Sequence, residues 1–461
     1  MMKKTALTKL FLCLVALVAI PISALAQSEN PVIIIPGLAG SELVNQKTGE
    51  VVWFKAPRSK DDDLRLPVTV NIARNRDNLV AGDALRSLKV GIFPRLDVYA
   101  GLIEAFKTNS GFHEELWDTP TDRAAEKAIY VYAYDWRLDN VENARLLIRK
   151  VADLKARIKR PNLKFNIIGH SMGGIIARYA AMYGDVNLPV GARRPVPTYA
   201  GAKHFDKIVL MGTPNEGSTL ALRSQIHGSA INGLNINLPW VQNLSKFDVF
   251  TVPSGYQLLP APGTFQVLDE NLKPISIDIY DPRTWTKYGW SPVSDKNFVK
   301  ELNVSPRVAN TFLAAHLARA RKLHEALSPV YNAKGLEFFL VGSECKVALD
   351  TIVVIQEPKS GKWKTLFKPD GYTKSTGEKV SEKELEKVMY TAGDGVVTKR
   401  SFETATLSKL ANVPSILKPI STKIVCEEHQ RLGANPEIQT YLVGLLGGKA
   451  AGPTPVSIKE Q

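Results

Sequence analysis

The sequence predicts an α/β fold: a mostly parallel central sheet, helices on both faces, and a cap or lid insertion. Three observations carry this. Strand-like runs alternate with helical periodicity through the first half of the chain and again towards its end. Several strand runs, "PVIIIPG" above all, are continuously apolar rather than alternating, as strands buried on both faces are. One serine stands among glycines where a strand passes into a helix, in "FNIIGHSMGGIIARYAAMYG".

The chain opens with a segment outside that fold. "MMKKTALTKL" carries Lys3, Lys4 and Lys9, "FLCLVALVAI" is apolar, and Ala24-Leu25-Ala26 is a small-x-small cleavage pattern. Residues 1–26 therefore read as a signal peptide cut after Ala26, and the mature protein is expected to be exported, periplasmic or secreted. The apolar run is short for a membrane span, and Leu12 before Cys13 is a poor context for a lipidated cysteine. Roughly 435 residues remain, enough for one large domain with insertions or for two domains. The formal charge of +14, less three signal lysines, leaves about +11. That surplus suits solubility, or attraction to anionic lipid head groups. It does not point to nucleic acid, because no basic block is interleaved with aromatics.

The elements follow in order. Pro31–Gly37 reads as a central strand stopped by Pro-Gly, and "AIYVYAYDWR" as a strand over Ala128–Tyr134. "NVENARLLIRKVADLKARI" has helical spacing with Asn140 as its cap. "LKFNIIG" is a strand, "GGIIARYAAMYG" a helix closed by Gly184, and "HFDKIVLMGTP" the next strand with its exit loop. From about 215 to 305 the rhythm fails among Pro, Gly and Asn, which marks the cap or lid insertion. "SPRVANTFLAAHLARARKLHEAL" is a long helix, and "GLEFFLVGS" resumes the strands. "KVALDTIVVIQEPKSGKWKTLF" reads as a hairpin turning at Lys359–Gly361, and "STKIVC" as the last strand. The α/β domain is expected to run over 27–446, with 447–461 a flexible tail.

Gly169-His170-Ser171-Met172-Gly173 fits G-x-S-x-G between a strand and a helix. A tight strand-to-helix turn lifts a serine hydroxyl clear of the sheet, and side chains two positions either side would collide there. The helix start beneath it favours negative charge. Ser171 is thus a candidate nucleophile, and it needs a base and an orienting acid, in the chain order Ser, acid, His. Five histidines follow it. His316 and His324 lie eight apart in an Arg-rich helix, so one of them is expected to be exposed. His204 precedes a strand at the wrong end of the sheet, and His227 lies in the insertion. His429 follows the last strand and is the candidate base. Asp394, between two glycines in "YTAGDGVVTKRS", is the candidate acid, with Asp350 as the alternative. An oxyanion hole takes one amide from Met172 and a second from Leu38, in "IPGLAGSEL", with Gly37 permitting close approach. Cys345 and Cys426 end strands that, if neighbours, would allow a disulfide; two free thiols are the alternative.

Taken together, "VIIIPGLAGSEL", "YDWR", "GHSMGG", "GTPNEGS", "GDGVVT" and "EEHQRLGANPEIQTYL" resemble, in this order, the lecithin:cholesterol acyltransferase family, with its lysosomal phospholipases and bacterial relatives. The resemblance spans about Pro31 to Leu446 and implies an α/β-hydrolase fold. It implies Ser171, Asp394 and His429 as a triad that cleaves a lipid acyl ester and passes the acyl group to an alcohol or water. Leu38 and Met172 would be the oxyanion donors. Asp135 and Arg137, in the "YDWR" match, are expected to pair and orient the serine turn. Unlike the vertebrate members, the region near "VVWFKAPRSKDDD" has no cysteine; Trp53 and Phe54 there would contact lipid or be buried. Within the insertion, Leu220–Phe250 gathers Leu238, Trp240, Val241, Leu244 and Phe247 late. It is expected to act as a lid, Trp240 contacting lipid, with a fixed cap as the alternative. No metal or organic cofactor is expected. The expected partner is a phospholipid or other lipid ester at a membrane or lipid surface. A serine hydrolase of soluble substrates and an inactive lipid-binding protein are the rival readings.

Overall fold

Seven strands form one sheet in which every neighbouring pair runs parallel. The structure, a computed structural model, describes residues 29–55, 63–88, 96–229, 244–357 and 360–447. The signal segment, Trp240, Leu238, Val241, Lys359 and residues 448–461 lie outside the described residues. The strands are β1 (Val32–Ile35), β2 (His113–Glu114), β3 (Ala128–Val131), β4 (Phe165–His170), β5 (Phe205–Met211), β6 (Glu337–Ser343) and β7 (Ser421–Val425). Across the sheet they stand in the order β2-β3-β1-β4-β5-β6-β7, which puts β4, the strand that leads into Ser171, at the centre.

The continuous apolar runs are explained by two cores. Ile33 and Ile35 of β1 face one side, with Ile167 of β4 and the helices Asn140–Arg157 and Met172–Tyr183. Val32 and Ile34 face the other, with Ile168, the helix Ala100–Ser110 and the C-terminal helix Pro436–Leu446. Alternate side chains enter opposite cores, so no strand position can be polar without leaving a buried group to satisfy.

Two element boundaries differ from expectation. β3 ends at Val131, not Tyr134, because Asp135 Oδ1 accepts the Arg137 amide at 3.0 Å and turns the chain away. The cap of helix Asn140–Arg157 is Asp139, which accepts the amides of Val141 at 2.8 Å and Glu142 at 3.3 Å. A carboxylate facing Arg319 Nε at 2.5 Å can stay buried and charged at the positive helix end. Asn140 is buried inside the first turn instead.

A third core lies in the expected insertion and beyond it. Phe250, Tyr256, Trp285, Trp290 and Phe298 pack on the long helix Pro306–Leu327 and on strands Thr351–Gln356 and Trp363–Leu366. The latter two pair antiparallel, as the hairpin reading requires. Among its described residues, the long stretch without periodicity contains several short helices, among them Lys246–Phe250, Pro253–Tyr256 and Pro282–Lys287. Leu244 and Phe247, assigned above to a lid, are packed: Leu244 is buried, and Phe247 leans on Phe298 at a ring distance of 6.4 Å. His316 and His324 are both buried, against the expectation that one is exposed. The helix carrying them is enclosed by this core on one face and by Arg178 and the main sheet on the other.

Candidate active site

Ser171 sits between β4 and the helix Met172–Tyr183 with φ 52° and ψ −123°, far from any relaxed non-glycine region. The glycines around it are set by contact. A Cβ on Gly173 would lie 2.3 Å from the Ile35 carbonyl oxygen, and one on Gly174 2.0 Å from Thr213 Oγ1. A Cβ on Gly169 would meet Gly174 Cα at 2.8 Å. The crowding thus comes from β1, from the loop after β5 and from the turn itself. The Ser171 amide is pinned to the Met211 carbonyl of β5 at 2.8 Å.

β6 and β7 lead to its partners. After β6 the chain leaves the sheet and returns through a ribbon in which Lys346–Leu349 pairs antiparallel with Tyr390–Gly393. Asp394 follows that ribbon and His429 follows β7. His429 Nε2 is 2.9 Å from Ser171 Oγ, and its Nδ1 is 2.7 Å from Asp394 Oδ2. The His429 amide also donates to the Asp394 carbonyl at 3.0 Å. Asp394 Oδ1 accepts the amides of Val396 at 3.0 Å and Val397 at 2.7 Å, leaving Oδ2 for the imidazole. Asp394 and His429 are both buried. Asp350 is elsewhere: its carboxylate accepts Arg400 Nη2 at 2.6 Å, and Arg400 also binds Glu216 at 3.0 Å. Cys345 and Cys426, one just beyond β6 and one just beyond β7, form a disulfide with Cα atoms 5.2 Å apart. It clamps the two segments that lead to Asp394 and His429.

On the other side of Ser171, Gly37 approaches so closely that a Cβ there would lie 2.9 Å from Ser171 Cβ. Leu38 follows it, and Met172 opens the helix. Leu38 lines the same cavity as the serine, and among the described residues no hydrogen bond is made by its amide or by that of Met172. The loop is shaped by Tyr134, whose hydroxyl donates to the Pro36 carbonyl at 2.8 Å, and by Tyr99, whose oxygen accepts the Gly37 amide at 2.9 Å. Trp53 is fully buried against Trp136 and donates to the Ala39 carbonyl at 2.9 Å, so it braces this loop.

Asp135 and Arg137 pair as expected, at 3.0 and 2.8 Å, but they do not touch the serine turn. Arg137 reaches the other way, to Asp77 at 2.6 and 2.8 Å and to the Leu64 carbonyl at 3.3 Å. Burial opposes its charge, yet Asp135 and Asp77 outweigh that and raise its pKa. The cluster fastens the 64–77 loop to the sheet. Its guanidinium is forked, so it joins two carboxylates where a lysine would hold one.

A cavity of about 570 Å³ opens beside Ser171 and His429, lined by Leu38, Leu220, Leu258, Leu349 and Phe367, with Arg223 at its wall. A larger groove of about 880 Å³ runs along Asp77, Trp117 and Lys150 and contains neither residue. The smaller one has the Ser171 hydroxyl in its wall and a largely apolar lining, so it is the candidate substrate site.

Residues 123–325 match the family model described as lecithin:cholesterol acyltransferase. The matched stretch holds "YDWR", the serine turn and most of the third core, and ends before Asp394 and His429. Among solved structures, a chain of the Tle4–Tli4 complex is 15% identical, covers 90% of this chain and 98% of its own length, and superposes with a TM-score of 0.52. The mature Bacillus licheniformis lipase BlEst2 is 12% identical over 92% of this chain and 95% of its own, with a TM-score of 0.34. The fold is that of the α/β-hydrolases, as the sheet order and the first of these likenesses show. No curated protein matches the sequence.

Proposed function

We propose that the protein is a serine-dependent lipid ester hydrolase or O-acyltransferase working through an acyl-enzyme. The observation that carries this is the hydrogen-bonded line Ser171–His429–Asp394, at 2.9 and 2.7 Å, with His429 and Asp394 buried behind the part-exposed serine. The lecithin:cholesterol acyltransferase family match supports lipid esters as the substrate class. Ser171 Oγ attacks the acyl carbon as His429 Nε2 takes its proton, and Asp394 holds the imidazole by Nδ1. The oxyanion rests on the Leu38 and Met172 amides. His429 returns the proton to the leaving alcohol. Water or an acceptor alcohol then attacks the acyl-enzyme, again through His429. The leader-like segment 1–26 supports export, and the lipid surface is the proposed place of action.

The test is to incubate purified mature protein with phospholipid vesicles, with and without a sterol, and identify the products. Fatty acid alone indicates hydrolysis; a sterol ester indicates transfer. Ser171→Ala and His429→Ala should each lower ester turnover by about 10³-fold or more, and the double substitution should add little. Substantial turnover in either single variant would sink the reading. Activity confined to soluble short-chain esters, with none on vesicles, would leave the serine chemistry and remove the lipid substrate.

A further inference from the structure

The residue directly before the serine is not used by the chemistry above, yet both its ring nitrogens are engaged. His170 is buried and holds two hydrogen bonds. Its Nδ1 is 2.8 Å from Tyr99 Oη, and its Nε2 is 3.0 Å from the His429 carbonyl oxygen. Tyr99 Oη is itself 2.9 Å from the Gly37 amide nitrogen. One unbroken line therefore runs from the loop that carries Leu38, through Tyr99 and His170, to the backbone of His429.

The two ends set its polarity. An amide N–H only donates and a carbonyl oxygen only accepts. Tyr99 accepts from Gly37, so its single proton points at His170 Nδ1. His170 must then carry its own proton on Nε2 and donate it to His429. Only this neutral tautomer satisfies every group; an imidazolium would set an N–H against the tyrosine O–H. Burial, and next the neighbouring His429, lower the pKa of His170 to about 3, which agrees with a permanently neutral ring. The rings are also in contact, with centroids 5.7 Å apart for Tyr99–His170 and 5.2 Å for His170–His429.

We propose that His170 and Tyr99 are positioning residues that hold the loop of the Leu38 amide and the backbone of His429 in one register around Ser171. The proposal rests on the reading of Ser171 as nucleophile. Its physical content is a coupling between oxyanion donor and general base, two parts separated by almost the whole chain. The tyrosine grips the amide of Gly37, immediately before the proposed donor. The histidine grips the carbonyl of the residue whose ring moves the proton. Oxyanion charge develops only in the transition state, so a loosened donor slows turnover without much effect on ester binding.

The experiment uses purified full-length mature protein and a short soluble ester. The variants are Tyr99→Phe, His170→Phe, their combination, and His170→Gln, whose amide can still donate to the His429 carbonyl. Each phenylalanine variant is expected to lower kcat on the order of 10–100-fold, with KM changed by less than about threefold. The double variant is expected to be no worse than the poorer single one, since one line is cut at either point. His170→Gln is expected to recover part of the loss. Thermal melts establish that the losses exceed the unfolded fraction. Unchanged kcat in both single variants, losses that multiply in the double variant, or a raised KM at unchanged kcat would each overturn the proposal. Fluorophosphonate labelling of wild type, absent in Ser171→Ala, separates the two levels. If wild type is not labelled, the nucleophile reading falls and this proposal with it. Labelled wild type with unimpaired variants removes this proposal alone.

Discussion

At the scale of single residues, close backbone approach governs what the serine turn tolerates. Gly37 and Gly173 both look replaceable by alanine in a sequence, and the structure separates them. A methyl on Gly37 meets the Ser171 side chain at 2.9 Å, so Gly37→Ala should shift the nucleophile more than the fold. Ester turnover is expected to fall by about 10²-fold with a melting point within a few degrees of wild type. A methyl on Gly173 meets the backbone oxygens of Ile35 and Pro36 at 2.3 and 2.6 Å, which no rotamer relieves. Gly173→Ala should therefore lower stability itself, by about 1–3 kcal/mol or more, read from denaturant unfolding. That Ser171, His429 and Asp394 meet was legible because their signals are local: the glycines around Ser171, the glycines around Asp394, and the chain order ending in His429. Tyr99 was not. Nothing in "DVYAG" distinguishes a tyrosine that spans to another element, and His170 occupies the variable position of its motif.

At the scale of elements, two fastenings carry testable weight. Arg137 is wholly buried and joins the turn after β3 to Asp77 and Leu64. Removing it leaves two carboxylates without their cation, one of them buried. Arg137→Ala is expected to destabilise by about 3–5 kcal/mol, and Arg137→Lys to recover only part. Unfolding titrations decide this, and a change below about 1 kcal/mol would show that Asp135 and Asp77 find other partners. The Cys345–Cys426 bridge closes a separation of 81 residues. Reduction should cost about 2–5 kcal/mol. Because the bridge braces the segments bearing Asp394 and His429, turnover should fall at temperatures where the reduced protein is still folded. The pairing of "YDWR" was readable, but its target was not, because the 64–77 loop has no periodicity to say where it packs. The short helices of the insertion were not readable for the same reason: at four to six residues, as in Lys246–Phe250 and Pro253–Tyr256, they are too short to show a period.

For the whole molecule, the buried histidines set the response to acid. Burial lowers the pKa of His204, His316 and His324 to about 4 each, as it lowers that of His170 to about 3. Unfolded histidines titrate near 6.5, so below that pH the unfolded chain binds more protons than the folded one. Their contribution is complete above about pH 6.5 and is lost as the pH falls towards 4. The slope approaches roughly 1.4 kcal/mol per pH unit for each of them. The melting temperature should drop steeply between pH 6.5 and 4, and His316→Gln should flatten that slope by about one proton. A melting point constant over that range would contradict it. The parallel sheet was legible at this scale because it buries both strand faces and leaves unbroken apolar runs. The enclosure of the long helix was not, since its arginines reach solvent or partners while its histidines turn inward.

The order in which the three residues of the proposed triad occur along the chain also sets a timetable. The strands around Ser171 and its turn, β1, β4 and β5, are all complete by residue 211. Asp394 arrives on a late excursion, and His429 only after the outermost strand, β7, has been laid down. A chain still being synthesised thus carries its serine for more than half its length before the proton acceptor exists. A chain clipped after Val425 keeps the turn, the glycines and the Asp394 loop, and has no base. On the proposed mechanism, partial products are consequently inert towards esters, and reactivity waits until the final elements close.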